Sequence, residues 1–102
     1  MTDQNAPSPS QALVIHPGDN VAVMTVAGIG GQTALIRRPG PPLSLVLRAD
    51  APFGHKIAIV GIAKGEPVRK YGEPIAIAAV DIAAGEHVHI HNVVGLNADL
   101  RG

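Results

Sequence analysis

The chain has 102 residues and one small domain's worth of core, built from ten Ile, eleven Val, seven Leu and fifteen Ala with one Phe, one Tyr and no Trp. Eight basic and eight acidic residues cancel, which argues against electrostatic nucleic-acid binding, and the scarcity of aromatics removes stacking platforms. Cys is absent, so disulfides, thiolate metal sites and Cys nucleophiles are excluded. No apolar run reaches the ~20 residues of a membrane span, and the N-terminus lacks the regions of a signal peptide, so a cytoplasmic protein is expected.

Residues 1–11 are polar with two prolines and read as a disordered tail, and residues 96–102 as a second tail, leaving 12–95 as the domain. Strand begins at Ala12-Leu13-Val14-Ile15, turns at His16-Pro17-Gly18-Asp19 and resumes at Val21 to Val26. Gly28-Ile29-Gly30-Gly31-Gln32 lacks the Lys-Ser/Thr of a phosphate loop. The prolines of Arg37-Arg38-Pro39-Gly40-Pro41-Pro42 forbid the long helix that a dinucleotide fold needs, so the glycines read as a loop. Leu43 to Leu47 is a short strand, followed by a turn over 48–54.

An internal repeat follows. Residues 57–68 lie on 77–88 at an offset of 20, with 8 of 12 positions identical. Each copy reads as strand, tight turn, strand, with Gly65 and Gly85 supplying the positive φ. Ala51 to Ile57 is a weaker third version of the turn. Two full copies are too few for a solenoid, so a duplicated hairpin about a local two-fold is expected. Helix is limited to one turn at Ile62-Ala63-Lys64 or Ile82-Ala83-Ala84. Abundant β-branched residues with 12 Gly and 9 Pro make the fold all-β, barrel-like, with short strands and long loops.

His87, His89 and His91 alternate with Val88 and Ile90, which predicts one strand face carrying three imidazoles. Alternate strand residues lie ~6.6–6.8 Å apart, so one neighbouring pair can share an ion, while the outer two, at ~13 Å, cannot. A solvated face with incidental histidines is the plain alternative. His55-Lys56 after a Gly turn, and Lys70-Tyr71-Gly72-Glu73-Pro74 between the repeats, offer groups for carboxylate binding or acid–base work, or are simply solvated loops.

Taken together, Ile15 to Val23, Gly54-His55-Lys56-Ile57-Ala58, Ile62 to Val68, Lys70-Tyr71-Gly72-Glu73-Pro74-Ile75, Asp81-Ile82, Gly85-Glu86 and Val88-His89-Ile90-His91-Asn92-Val93 resemble the N-terminal domain of the altronate/galactarate dehydratase family. The resemblance spans residues 13–94, is specific from Gly54 to Val93, and is weak across 26–47. It implies an SAF-type β-clip fold and a lyase that removes water from a sugar acid with Fe²⁺ or Mn²⁺ as Lewis acid. The resemblance extends to the α subunit of (2R)-sulfolactate sulfo-lyase, which eliminates sulfite instead. Carried over residue by residue, it implies His55, Lys56 and Tyr71 as catalytic groups and Lys70 and Asn92 as substrate contacts. It implies His89 and His91 as metal ligands, with His87 incidental. The partners implied are a large catalytic dehydratase subunit and the sugar acid; separately, the thin aliphatic core with spare Ile and Val predicts an apolar patch for the large subunit, through which isolated copies can form a homo-oligomer. A non-catalytic SAF module that binds a ligand or protein is the reading from a different class.

Overall fold

The computed structural model describes residues 11–96; the rest of the two expected tails lies outside them. No helix occurs among the described residues, so none is long and apolar enough to cross a membrane. The strands are β1 (Ala12–Leu13), β2 (Val21–Met24), β3 (Thr33–Arg37), β4 (Leu43–Val46), β5 (Lys56–Ala58), β6 (Pro67–Lys70), β7 (Glu73–Ala78), β8 (His87–Val88) and β9 (Val93–Val94). They form a six-stranded sheet ordered β4-β3-β1-β2-β5-β8 and a three-stranded sheet ordered β6-β7-β9. The all-β expectation holds. Gln11, assigned to the tail, is already fixed: its N–H donates to Leu35 O at 2.8 Å and its carbonyl accepts from Thr25 N at 2.9 Å.

One turn, used four times, organises the chain. Its copies start at Gly28, Ala51, Ile62 and Ile82. In each, a glycine three residues later takes positive φ: 92° at Gly31, 82° at Gly54, 88° at Gly65 and 91° at Gly85. The next residue closes the turn, with N–H donors at Gln32, His55, Glu66 and Glu86 reaching carbonyls at Ile29, Pro52, Ala63 and Ala83. A positive φ at the third position is what a type II turn requires, and glycine meets it without strain. Each turn is then stitched to a distant segment by the same two bonds. Gly31 N donates to Leu47 O, Gly54 N to Met24 O, Gly65 N to Ala78 O and Gly85 N to Ala58 O. The same four carbonyl residues donate back to the residue after the glycine.

The copies pair. Ile62 and Ile82 exchange N–H···O bonds of 2.8 Å in both directions, which is the local two-fold that the repeat implies. Gly28 and Ala51 pair likewise. Even the reinforcing carboxylates correspond: Asp81 Oδ1 accepts from Lys64 N at 2.8 Å, and Asp50 Oδ1 from Gly30 N at 2.8 Å. The expected helical turn at 62–64 or 82–84 is therefore absent, because those backbone groups are committed to bridge and turn. Gly28 to Gln32 is not a free loop but the first copy of this unit.

Two aliphatic clusters fill the interior. One joins Val14, Met24, Ile36, Leu47, Ile57 and Ile59, and the other joins Val21, Ile62, Val68, Ile82 and Val88. β5 lies between them: Ile57 is packed in the first and Ala58 in the second. β6 and β7 form a hairpin whose connection, Tyr71-Gly72, has φ of 58° and 77°. Two positive φ values in a two-residue loop suit a type I′ turn, but tyrosine is a poor occupant. Asp19 compensates. Its carboxylate, only 7% exposed, accepts from Tyr71 N at 3.0 Å and Gly72 N at 2.7 Å. Asn20 holds the same hairpin through Pro67 O and Arg69 N.

Candidate functional site

The site forms where the second and fourth turn copies feed β5 and β8. Those strands are antiparallel, with Lys56 opposite Val88 and Ile57 opposite His87. Extending that register by one residue sets His89 opposite His55, and opposed residues share a face. The rings of His55 and His89 accordingly stack with centroids 4.5 Å apart, and His87 lies 5.0 Å from His55 and 5.2 Å from His89. His55 Nδ1 and His87 Nε2 are 2.9 Å apart, so one of the two carries the shared proton. One ring nitrogen from each of His55, His87 and His89 lies within 4.8 Å of the others.

Why the His55 side chain is free to do this follows from the turn. Gln32 Oε1 and Glu66 Oε1, at the equivalent positions, accept from the backbone N–H three residues before them, at 2.9 and 2.6 Å. At His55 that residue is Pro52, which has no N–H, so the imidazole has no local partner and turns to its histidine neighbours.

The regular strand expected through His91 does not form. β8 ends at Val88, and residues 89–92 turn, with Asn92 N donating to His89 O at 3.0 Å. The cause is Asn92. Its amide is 3% exposed, accepts from His89 N at 3.0 Å and donates to His87 O at 2.9 Å. A side chain that satisfies two backbone groups of its own segment bends the chain away from the sheet. Ile90, expected to pack on the core beside Val88, is instead 83% exposed at the tip of this turn.

The structure thus groups the implied site residues differently from the sequence expectation. His87, set aside there, joins His55 and His89, and the shared-ion limit of one strand pair is lifted because the third ring comes from His55, just before β5. His91 stands outside the three, its ring 5.5 Å from that of His87. Asn92, implied as a substrate contact, is buried and holds the histidine turn together. Lys56 leaves the strand on the opposite face from His55. It borders a shallow apolar groove with Val68, Ile75, Val88, His89 and Ile90. Tyr71 is exposed, its backbone tied to Asp19, and the Lys70 ammonium lies 4.8 Å over its ring. Tyr71 therefore belongs to the β6–β7 turn rather than to the imidazole cluster.

Electrostatics favour neutral imidazoles. Desolvation first, then the neighbouring His55, lowers the His87 pKa from the ordinary 6.5, with His89, His91 and Lys56 adding to it. His89 is lowered in the same way, by desolvation and then by His55, Lys56 and His91. Lys56 is itself lowered, by burial and then by Lys70. Unprotonated ring nitrogens of His87 and His89 are therefore available as ligands or proton acceptors near neutral pH.

The family described as the altronate/galactarate dehydratase SAF domain matches residues 10–96. The chain is 45% identical over 82 residues to altronate dehydratase of Escherichia coli, covering 80% of this chain and 16% of that protein. It is 38% identical over 85 residues to the (2R)-sulfolactate sulfo-lyase subunit alpha of Chromohalobacter salexigens, covering 79% of this chain and 90% of that subunit. A shorter match, 44% over 50 residues, reaches altronate dehydratase of Bacillus subtilis, with 49% of this chain and 10% of that protein covered. The chain thus spans about a sixth or less of the dehydratases it matches.

Proposed function

From a chain that belongs to the altronate/galactarate dehydratase SAF-domain family, we propose that its work is done as the small component of a hydroxy-acid lyase. The substrate class is a sugar acid of the altronate or galactarate type, the reaction is elimination of water, and the partner is a larger catalytic chain or domain. The observation that carries this reading is the His55–His87–His89 cluster. Three half-buried imidazoles packed ring against ring, with the proton affinity of His87 and His89 depressed and His91 beside them, are more than a β domain needs for stability.

The family implies a divalent metal, and the donor set fits one. One ring nitrogen from each of three imidazoles lies within 4.8 Å of the others, close enough for the three to converge on one ion after small side-chain adjustments. All-imidazole donors suit Fe²⁺ better than Mn²⁺, which prefers oxygen. His55, His87 and His89 would hold such an ion, which would supply Lewis acidity toward the substrate's carboxylate or hydroxyl oxygens. The remaining chemistry falls to the chain's own groups. A neutral imidazole can accept a proton, and the depressed Lys56 ammonium can give one up more readily than an exposed lysine. Asn92 keeps His87 and His89 in register.

The cluster lies open on one side, and a six-carbon acid needs most of its surface enclosed. That supports a requirement for a partner surface. The match over most of a sulfo-lyase α subunit keeps elimination of sulfite from a sulfo-acid as the second reading. The test is reconstitution of this chain with a large dehydratase-type chain, assayed against altronate, galactarate and sulfolactate with Fe²⁺ or Mn²⁺. Turnover with both chains and negligible turnover with either alone is expected. Turnover near ~1 s⁻¹ by this chain alone, or inactivity of the pair toward all three acids, overturns the proposal.

A further inference from the structure

Beside the imidazole cluster lies a second feature that the metal-binding reading leaves unused. A cleft of about 480 Å³ is lined by Arg48, Ala49, Glu86, His87 and His91. We infer that this cleft is a carboxylate subsite, with Arg48 as its anion-binding group and a polyhydroxy carboxylate as its ligand; the inference rests on, and deepens, the sugar-acid reading above.

Three observations build it. First, Arg48 is fixed at the backbone. Its N–H donates to Gly85 O at 2.9 Å, joining the end of β4 to the turn that carries Glu86 and His87. The approach is so close that a Cβ on Gly85 would collide with the Val46 carbonyl oxygen. The guanidinium therefore starts from a rigid anchor beside the histidines. Second, among the described residues Arg48 has no carboxylate within ion-pair distance, although Glu86 borders the same cleft. Its planar fork of donors is free for an external carboxylate, which it can bind through two parallel bonds. Third, His87 belongs to both features. Its ring stacks on His55 and His89 and also lies 5.5 Å from His91, which borders the cleft.

Polarity sets an orientation. Arg48 attracts the ligand's carboxylate, whereas the Glu86 carboxylate repels an anion and accepts hydrogen bonds from hydroxyls. A hydroxy acid bound with its carboxylate on Arg48 would leave its hydroxyls to the other polar lining groups, Glu86, His87 and His91. The 480 Å³ available falls within the usual range of small-molecule sites.

The experiment is a titration of the full chain with galactarate, read by NMR at the Arg48 side-chain Nε–H and at the ring signals of His87 and His91, with the neutral polyol galactitol as control. Saturable shifts at Arg48, His87 and His91 are expected with galactarate and not with galactitol. Arg48→Gln should weaken binding about tenfold or more, with Arg48→Lys intermediate, because charge survives but the fork does not. Arg48 is exposed, so the amide spectrum of either variant elsewhere should match the parent. Absence of saturable shifts, equal binding by Arg48→Gln, or equal shifts with galactitol overturns the subsite. Failure of the lyase reading shows differently: a reconstituted pair without turnover toward any acid, while this chain still binds galactarate through Arg48.

Discussion

Replacing Asn92 by Ala tests whether one buried amide shapes the histidine turn. The substitution removes the acceptor for His89 N, at 3.0 Å, and the donor to His87 O, at 2.9 Å. Each side-chain hydrogen bond contributes about 0.5–1.5 kcal/mol net, and a polar group left without a partner costs more where water cannot reach it. His87 and His89 are only half-buried, so water recovers part of that loss. The expected destabilisation is about 2–3 kcal/mol, which for a domain near 100 residues lowers Tm by ~10–20 °C. Calorimetry is the suitable assay, since one Tyr and one Phe give little optical signal. Asn92→Asp separates the two bonds: it keeps an acceptor for His89 N but sets a carboxylate oxygen against the His87 carbonyl. Its loss should be at least as large as that of Asn92→Ala. In both variants the coupled imidazole signals of His55, His87 and His89 should shift together. An Asn92→Ala protein within ~0.5 kcal/mol of the parent, with unchanged histidine signals, refutes the assignment of the turn to this side chain.

Gly85→Ala and Gly65→Ala make a matched pair: both have φ near 90°, but the first would press a methyl group on the Val46 carbonyl and the second meets nothing within 4 Å. The Gly65 variant should lose about 1–2 kcal/mol from backbone strain, and the Gly85 variant at least twice that, read by denaturant unfolding. Stability should also fall with acid through His87 and His89. Their folded pKa values lie below 6.5, so the unfolded chain binds more protons, and the contribution is fully present above pH 6.5 and lost as pH drops through the folded values. A His87→Gln, His89→Gln double variant should show a shallower pH dependence of unfolding free energy between pH 7 and 5.

The strand-rich fold and the two-fold were legible because both rest on local signals. Ile62-Ala63-Lys64-Gly65-Glu66 and Ile82-Ala83-Ala84-Gly85-Glu86 repeat residue by residue, and the glycine needed at positive φ stands in place. The first turn copy was hidden because Gly28-Ile29-Gly30-Gly31-Gln32 shares little with them beyond one glycine; backbone geometry, not side-chain identity, makes it equivalent. The histidine alternation mimicked a longer strand. The sign against it was Asn92, three residues after His89, a spacing at which a side-chain amide can close a turn on itself. The place of His87 beside His55 and His89 was not legible, because spacing along one strand cannot show that the residue before β5 brings in another ring. Arg48 had no local signal, since only the Gly85–Arg48 backbone contact brings it to the cleft.

The equivalence of Gln32, His55, Glu66 and Glu86 bears on how such a domain can change its chemistry. The backbone asks that position only for an N–H and a carbonyl, both of which any residue but proline provides. Its side chain is at liberty. In two copies it braces the turn, and in one it faces a cleft. In the remaining copy a proline three residues upstream removes the group to be braced, and an imidazole is released toward the site. Two substitutions at one corner, neither touching the core, are enough to convert a brace into a ligand. A domain assembled from one corner used four times thus offers four places where function can be gained or exchanged while the architecture stays as it is.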